Sequence, residues 1–274
     1  MAQELRQRHG LSARRACGLI GIPTCSLRYC SRRGDNTAVR QRMRELAQER
    51  PRYGYRRLGV LLRREGHRIN HKRVLRLYRE ENLKLRPKRR KRVTSVQRVR
   101  PAATTRANQR WSMDFVSDVL SCGRRFRALN ITDTHTRECL EIEVDTSLPG
   151  ARVVRVLERV CARRGYPKVI QIDNGPEFAG KALDAWAYGH GVQLFFIEPG
   201  KPVQNAHIES FNGKLRDECL NQEWFINLHD ARNIIENWRT DYNWVRPHSA
   251  LNNLPPAVWA EQQKQADELT LQMR

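Results

Sequence analysis

The stretch KVIQIDNGPEF, residues 168–178, decides the fold class of the second half of the chain. Its apolar run KVIQI is typical of a short buried strand, and the run ends on Asp173 at a turn formed by Asn174 and Gly175. An amphipathic helix pattern, PGARVVRVLERVCARRG, precedes this strand, and a second pattern, EFAGKALDAWAYGHG, follows it before the strand VQLFFIE. This alternation of strands and helices predicts an α/β domain.

Three further strand patterns lie upstream. RWSMDFVSDVL, RRFRALNITDTHTR and ECLEIEV follow one another with polar turns between them, so they predict an antiparallel meander. Helix patterns return from about residue 204 to 220 and from about residue 229 to 243. Together these patterns predict a mixed five-stranded sheet flanked by helices. Packing in the core or between helices is the expected role of four C-terminal tryptophans: Trp224, Trp238, Trp244 and Trp259.

The positive charge of the chain is concentrated in its first part. The 274 residues carry a net charge of +22, yet residues 1–110 hold 32 Lys and Arg against 7 Asp and Glu, which leaves 19 against 22 for the remainder. A basic region joined to a nearly neutral one predicts that the first part binds a polyanion, with nucleic acid as the leading partner. Ordinary solubilising surface charge is the alternative.

Two basic helical pairs are predicted in this first part. LSARRACGLIGIPTCSLRYCS, residues 11–31, has Ser12 as a helix cap and a break at GIP, and residues 53–83 repeat the pattern with a stop at Gly66 and a cap at Asn70. Each pair resembles a helix-turn-helix unit that inserts its second helix into a DNA groove. For residues 11–31, a helical hairpin with a solvated basic face remains an equal alternative.

These patterns divide the chain into three expected regions. Residues 1–83 form a basic helical DNA-binding region, residues 84–107 a basic linker, and residues 108–274 the α/β domain with its C-terminal helices. Basic side chains of the first two regions are candidates for contacts with DNA phosphates. They are Arg56, Arg57, Lys72, Arg73, Arg76, Lys88, Arg89, Arg90, Lys91 and Arg92.

Several classes of protein are disfavoured by the sequence. No stretch approaches the roughly 20 apolar residues that cross a bilayer, and the N-terminus MAQELRQRHG lacks the apolar segment of a signal peptide. The seven cysteines are scattered and never form a C-x-x-C pair, which argues against a disulfide framework and a zinc finger. We therefore expect a soluble protein of the cytoplasm.

Three carboxylates of the second part suit the rule that chemistry collects where strands end and helices begin. Asp114 lies in the first strand, out of phase with its apolar neighbours, Asp173 ends the short buried strand, and Glu209 lies on a predicted helix. Converging carboxylates repel one another unless a cation neutralises them, and oxygen ligands without Cys or His favour Mg²⁺ or Mn²⁺. Asp133 follows ALNIT as Asp173 follows KVIQI, so it remains open as a neighbour of this site.

A family resemblance rests on the order of these motifs. W-x-M-D-F carries Asp114, DNGPEF opens on Asp173, and HIESFNGKLRDECL carries Glu209, with 35 residues between Asp173 and Glu209, before YNWVRPHSAL. This set resembles the integrase-type DDE transposases, and within them the second-reading-frame protein (OrfB) of the insertion sequence 3 family. The segment RPRYGYRRLGVLLRREG with NHKRVLRLYREENL resembles the helical region that precedes the catalytic core in that family.

The resemblance implies a fold, an activity and a set of site residues. The fold is an RNase H-like core, and the activity is metal-dependent cleavage and strand transfer at the ends of an insertion sequence by a DDE-type polynucleotidyl transferase. Asp114, Asp173 and Glu209 would be catalytic and would bind two Mg²⁺ ions, for which Mn²⁺ may substitute. Arg216, Asn174 and Asn205 would lie near the DNA.

The same resemblance implies partners and a location. The partners are double-stranded DNA, as terminal inverted repeats and as target, further copies of the chain, and an upstream reading-frame product joined as a frameshift fusion. The protein would associate with the bacterial nucleoid. Two alternatives stay open: a non-catalytic accessory or regulatory subunit of transposition, and a structure-selective nuclease on the same core. The role of YNWVRPHSAL does not follow from its residues, and Arg246 and His248 in it could contact DNA, contact another subunit or form a turn.

Overall fold

The computed structural model describes residues 1–29, 36–86, 103–175, 177–178, 180–198 and 205–272. The chain divides into two compact units, Met1–Gln41 and Arg42–Arg274. The larger unit therefore contains the sheet together with the helices of residues 42–83. The domain limits expected at residues 83 and 107 stay a prediction.

The first unit contains three short helices, α1 (Ala2–His9), α2 (Ala13–Leu19) and α3 (Thr24–Arg28). The backbone N–H of Arg15 donates to the side chain of Ser12, so Ser12 caps α2 as the sequence predicts. The predicted helix, turn and helix are thus present between residues 13 and 28. A role in DNA binding for this pair stays a prediction.

The helices α4 (Thr37–Glu49), α5 (Tyr55–Arg64) and α6 (His71–Glu80) follow. The leucines of α5 are buried, as are Val74, Leu77 and Tyr78 of α6, because each helix has an apolar stripe at helical spacing. Asn70 caps α6 by accepting from the N–H of Arg73. The two helices approach closely at Gly59, where an added Cβ would lie 3.3 Å from Val74.

The sheet has five strands, β1 (Arg110–Val119), β2 (Arg125–Asp133), β3 (Cys139–Asp145), β4 (Val169–Ile172) and β5 (Gln193–Phe196). Their order is β3-β2-β1-β4-β5. The first three strands pair antiparallel, whereas β4 pairs parallel to β1 and β5 parallel to β4. The expected mixed sheet of an RNase H-like core is therefore confirmed.

Helices cover both faces of the sheet. On one face, α7 (Gly150–Arg164) and α8 (Lys181–Gly189) contribute to a core with Trp111 and Met113 of β1. On the other face, α9 (Ala206–Leu215) and α10 (Leu228–Trp244) contribute to a second core with Val116 of β1. Alternate residues of β1 therefore point into different layers.

The C-terminal part departs from the predicted helix boundaries and packing. The helix expected to end near residue 220 leaves α geometry after Leu215 and continues as a π-helical turn, Arg216–Leu220. Trp238 packs against Phe211 and Tyr242, as expected for a core tryptophan. The packing interpretation is wrong for Trp224 and Trp244, whose surfaces are 77% and 50% exposed.

The chain continues through a 3₁₀ turn, Ser249–Leu251, into α11 (Pro256–Gln272). Within the parts of the chain that the structure describes, no helix combines the length and the apolar character that a membrane span requires.

Candidate active site

Asp114 lies in the middle of β1 on the face of the sheet covered by α9. Its cross-strand partner in β2 is Asn130, and its apolar neighbours Met113 and Phe115 point into the opposite layer. The carboxylate is half-buried, and Oδ1 accepts a 2.8 Å hydrogen bond from the backbone N–H of Phe115. The register of β1 with β2 and the hydrogen bond from Phe115 therefore both fix the position of this acid.

A pair of asparagines continues the hydrogen bonding of Asp114. The amide of Asn212, on α9, donates to Asp114 Oδ2 at 2.7 Å, and the amide of Asn130 donates to Asn212 Oδ1 at 2.7 Å. Asn130 is fully buried, and its own Oδ1 has no hydrogen-bond partner among the described residues. The relay joins β2, α9 and β1, so the orientation of Asp114 depends on three elements.

Asp173 directly follows β4 and is exposed. Its Oδ1 accepts a 3.0 Å hydrogen bond from the backbone N–H of Gly175, which makes a tight turn of the Asx type. A Cβ added at Gly175 would lie 3.0 Å from the same oxygen, so a glycine leaves room for the carboxylate here. The neighbouring Asn174 donates to the carbonyl of Ile197 at 3.2 Å, which links the turn to the end of β5.

Glu209 lies in the first turns of α9 and is exposed. Asn205 is buried at the start of this helix, and its Oδ1 has no hydrogen-bond partner in the described structure. Arg216, at the start of the π-helical turn, donates to the carbonyl of Ser117 in β1 at 3.1 Å. The helix bearing Glu209 is therefore joined to the strand bearing Asp114 at both Asn212 and Arg216.

The three acids interact electrostatically. Burial raises the pKa of Asp114 to about 6, and the carboxylates of Asp173 and Glu209 also raise it, against the hydrogen bonds from Phe115 and Asn212. Like charges thus act on Asp114 from two neighbouring elements. Among the described residues, however, no three His, Cys, Asp or Glu side chains converge closely enough to hold a metal ion.

The chemistry of the donor set suits a hard divalent cation, because all three acids offer carboxylate oxygens. Their positions do not yet form a coordination shell, since Asp173 is turned back towards Gly175. Asp173 and Glu209 are both exposed, so side-chain rotation meets little steric resistance. To coordinate an ion, the carboxylate of Asp173 would have to break its hydrogen bond with the backbone N–H of Gly175.

Asp133, the acid left open as a neighbour of the site, is structural. Its Oδ1 accepts from the backbone N–H groups of His135 and Thr136, and its Oδ2 accepts from that of Asn108. The side chain is buried, with 1% of its surface exposed. Asp133 therefore holds the turn between β2 and β3.

The basic residues expected to contact DNA differ in their exposure and in their hydrogen-bond partners. Arg57 donates to Glu218 Oε1 at 2.8 Å, Arg56 is exposed beside the hydroxyl of Tyr55, and Arg76 lies 3.8 Å from Glu80. Lys72 is exposed, and Arg73 is half-buried in the first turn of α6. Lys88, Arg89, Arg90, Lys91 and Arg92 lie outside the described residues. Contacts of any of these side chains with DNA stay a prediction.

The segment YNWVRPHSAL acts as a clamp that fastens the C-terminal helices to the start of β3 and to Glu218. Asn243 makes two hydrogen bonds with the backbone of Cys139, where β3 begins, at 2.9 Å and 2.8 Å. Arg246 has 2% of its side chain exposed and binds Glu218 with two hydrogen bonds of 2.7 Å. Tyr242 donates to the carbonyl of Arg137 at 3.2 Å. This clamp assigns a structural turn to Arg246, the alternative left open for it.

Sequence reasoning missed Asn130 and Asn212. A polar residue opposite a strand acid, and an amide three residues after a helix acid, were the available signals. Neither signal is specific without the strand register, because asparagine is also frequent in turns and at helix caps.

Comparisons with known proteins agree with this architecture. One family described as an integrase core domain matches residues 104–202, and a second with the same description matches residues 190–256. A family described as an HTH-like domain matches residues 35–91. These ranges together span α4 to α6, the sheet and most of the C-terminal helices.

Individual relatives and structures were also found. An uncharacterized 31.7 kDa protein of insertion element IS407 from Burkholderia multivorans is 49% identical over 257 residues, which covers 93% of each chain. A putative transposase InsK for insertion sequence element IS150 from Escherichia coli is 27% identical over 237 residues, covering 82% of this chain and 83% of that protein. The HTLV-2 integrase catalytic core domain, solved in complex with magnesium, has 14% identity and a TM-score of 0.46, covering 57% of this chain and 97% of that one.

Proposed function

Because this chain belongs to the insertion sequence 3 family of OrfB transposases, which carry an integrase core, we propose that it cleaves DNA at insertion-sequence ends and transfers the freed strand. The observation that carries the proposal is geometric: Asp114 on β1 is held by Asn212 of α9, the helix that bears Glu209, and Asp173 and Glu209 lie close enough for their charges to act on Asp114. Placing repelling carboxylates close together costs folding free energy, and a cationic partner offsets that cost.

We propose that these three acids hold two Mg²⁺ ions. Bound Mg²⁺ would neutralise the carboxylates and the reacting phosphate and would align the attacking and leaving oxygens. Asp114 would supply the most firmly placed ligand, because Asn212 and the Phe115 N–H orient it. Asp173 would complete the set after releasing the N–H of Gly175.

The proposed reaction has two steps with different nucleophiles. In cleavage, a water oxygen forms a bond to phosphorus while the P–O bond to the departing 3′-oxygen breaks, and this oxygen takes up a proton. In strand transfer, the oxygen of the freed 3′-hydroxyl forms a bond to the phosphorus of a target phosphodiester and loses its proton, while the P–O bond to a 3′-oxygen of the target strand breaks and this oxygen takes up a proton. Holding the reactants in line supplies much of the rate acceleration, so no covalent link between protein and DNA is needed.

DNA binding would use cations outside the acid cluster. The family match to an HTH-like domain covers α4 to α6, and Arg56, Lys72 and Arg76 on these helices are proposed to contact DNA phosphates. Arg216, Asn174 and Asn205 are proposed to contact DNA nearer to the acids. Assembly of several copies on two DNA ends belongs to the same proposal.

Strand-transfer and cleavage assays with terminal-repeat DNA and Mg²⁺ test the function. Asp173→Asn and Glu209→Gln should each lower both activities by at least about a thousandfold, as expected for loss of a metal ligand, while affinity for the same DNA is kept. Glu158→Gln, which changes an exposed carboxylate on α7, is the matched control and should keep full activity.

Three outcomes would contradict the proposal. Activity in Mg²⁺ that survives both Asp173→Asn and Glu209→Gln would remove the acids from catalysis. Specific DNA binding without any cleavage, by the chain alone and by its fusion to the upstream reading-frame product, would instead assign an accessory role. Cleavage of branched DNA regardless of terminal repeats would indicate a structure-selective nuclease.

A further inference from the structure

A basic pocket lies on the side of α9 opposite Glu209. His207, Ser210 and Lys214 share one face of the helix, whereas Glu209 and Asn212 share the face towards the acids. The pocket encloses about 550 Å³ and is walled by this face, by the end of β2 and by the clamp segment YNWVRPHSAL. It is therefore separate from the site formed by Asp114, Asp173 and Glu209.

Lys214 is the central cation of the pocket. It is half-buried, and its ammonium forms no hydrogen bond or ion pair with any of the described residues. Burial lowers the pKa of Lys214 to about 8, and Arg246, Arg57 and Arg137 lower it further, against the opposing effect of Glu218. A partly desolvated cation without a partner costs free energy that a bound anion would offset.

Arg137 brings a second cation to the pocket. Its backbone has a φ of 64°, in the left-handed region that few non-glycine residues occupy, and its guanidinium contacts the ring of His207. Burial lowers the pKa of Arg137, although Tyr242 and Asp133 raise it. Within the described residues Arg137 makes no ion pair, and the nearby carboxylate of Asp133, whose charge acts on it, accepts hydrogen bonds from three backbone N–H groups.

The other cations around the pocket are not equivalent. Arg57 and Arg246 share the carboxylate of Glu218, so their charge is largely neutralised. Arg56 at the rim is exposed and has no carboxylate partner in the described chain. The pocket thus combines three cations that have no ion-pair partner among the described residues, Arg56, Arg137 and Lys214, and this excess of positive charge is what an anion would meet.

His248 lines the same pocket as a neutral ring. Tyr242 has one hydroxyl proton, which it donates to the carbonyl of Arg137, so His248 Nε2 donates to the Tyr242 oxygen at 3.1 Å. The Nδ1 atom of His248 is buried and has no hydrogen-bond partner in the described structure. Burial lowers the pKa of His248 to about 3, with Lys214 and Arg246 acting in the same direction.

We propose that this pocket binds a phosphate group, and that in the working protein the group is a backbone phosphate of DNA. Guanidinium and ammonium groups suit phosphate because each oxygen can accept a charge-assisted hydrogen bond. The choice of DNA as the source rests on the proposed function. An α-helix is about 10 Å across, so this phosphate belongs to a different part of the DNA from the one at the acids.

Duplex binding measured without divalent metal tests the pocket apart from catalysis. Lys214→Gln should weaken binding roughly three- to tenfold near 0.1 M salt, and the slope of log affinity against log salt should fall by about 1, as for one lost phosphate contact. Arg155→Gln removes the same charge from an exposed site on α7, across the sheet, and should change neither quantity.

Two further measurements separate binding from a structural role. Lys214→Gln should leave the melting temperature unchanged or raise it, since it removes an unpaired cation. Duplex affinity of the unaltered protein should fall several-fold from pH 7 to pH 9, because Lys214 with a pKa of about 8 loses its proton, whereas Lys214→Arg should keep its affinity. A fall in melting temperature on Lys214→Gln, or equal pH profiles of Lys214→Arg and the unaltered protein, would contradict the assignment.

Inorganic phosphate, followed by calorimetry on the same proteins, distinguishes the two sources of the group. Phosphate binding lost in Lys214→Gln, with duplex binding unchanged, would overturn DNA as the source and leave a free-phosphate site. If Lys214→Gln and Arg155→Gln have the same affinities and salt slopes for every probe, the pocket proposal fails. Cleavage activity that survives in Lys214→Gln would then show that the proposed function stands without it.

Discussion

The amide of Asn212 donates a 2.7 Å hydrogen bond to Oδ2 of Asp114, and the amide of the buried Asn130 holds Asn212 in turn. Because Oδ1 of Asp114 already accepts from the backbone, both oxygens of this acid have a fixed partner on the protein side. The hydrogen bonds from Asn212 and Phe115 therefore set the direction in which the remaining lone pairs of the carboxylate point. Asn212 is a positioning residue for the acid on β1.

Asn212→Leu should lower strand transfer about 10- to 100-fold, the usual cost of removing a group that orients a metal ligand. The loss should be larger at limiting than at saturating Mg²⁺, since a misplaced carboxylate weakens ion binding. Activity measured over a Mg²⁺ titration checks both points. Asn233→Leu, at an exposed position of α10, is the control. Equal activity of the two variants at limiting Mg²⁺ would contradict a positioning role for Asn212.

Divalent cations should stabilise the folded protein if the three acids bind them. A ligand present at about 100 times its dissociation constant adds about 2.7 kcal/mol to the free energy of unfolding. Thermal melting with and without Mg²⁺ or Mn²⁺ should therefore show a rise in melting temperature that Asp114→Asn abolishes. Asp118→Asn, four residues along β1, should retain the rise. An equal rise in both variants would show that the ions bind elsewhere.

Glu218→Gln should destabilise the larger unit. Glu218 has 8% of its side chain exposed and is bound by Arg246, of which 2% is exposed. Burial opposes ionisation of Glu218, but the hydrogen bonds and charges of Arg246 and Arg57 keep its pKa below the usual value. Removing this charge leaves a buried guanidinium uncompensated, at a cost of about 3 kcal/mol.

Urea unfolding measures this cost. Glu236→Gln breaks a pair within α10 in which Glu236 is 49% and Arg239 19% exposed, and it should lower the free energy of unfolding by about 1 kcal/mol or less. Similar unfolding midpoints for Glu218→Gln and Glu236→Gln would show that the pair between Glu218 and Arg246 adds little stability.

Asn243→Leu should weaken the clamp on β3. The side chain accepts from the N–H of Cys139 and donates to its carbonyl, and because the carbonyl keeps a 3.2 Å hydrogen bond from Arg239, the buried N–H is the group that loses its partner. We expect a loss of about 2 kcal/mol in the free energy of unfolding, with Asn233→Leu as an unaffected reference. Hydrogen exchange at Cys139 should accelerate with it, and unchanged protection there would contradict the clamp.

Much of the fold could be predicted from periodicity alone. Alternating residues in β1 and the apolar run of β4 are local patterns, and the acids Asp114 and Asp173 could be placed on strands because strands impose those patterns. The π-helical turn after Leu215 could not be predicted, because its residues continue the apolar spacing of α9.

The contacts around the acids could not be predicted from local sequence patterns. Asn130 meets Asp114 only through the register of β1 with β2, and Arg57 meets Glu218 across 161 residues of chain. Arg57 was therefore interpreted from its helix alone. Trp224 and Trp244 were assigned to packing because of their size, but exposure depends on what other segments cover.

Three arginines near the start of the larger unit join it to acids near its end. Arg50 binds Asp241 at 2.6 Å, Arg52 binds Asp217 at 2.5 Å, and Arg57 binds Glu218 at 2.8 Å.

These three ion pairs constrain how proteins of this family can diverge. A recombination event between the segments 50–57 and 217–241 would combine arginines from one ancestor with carboxylates from another. Any mismatch would leave one charge without its partner. We therefore expect the two segments to be inherited together, although the strands of the sheet lie between them in the sequence.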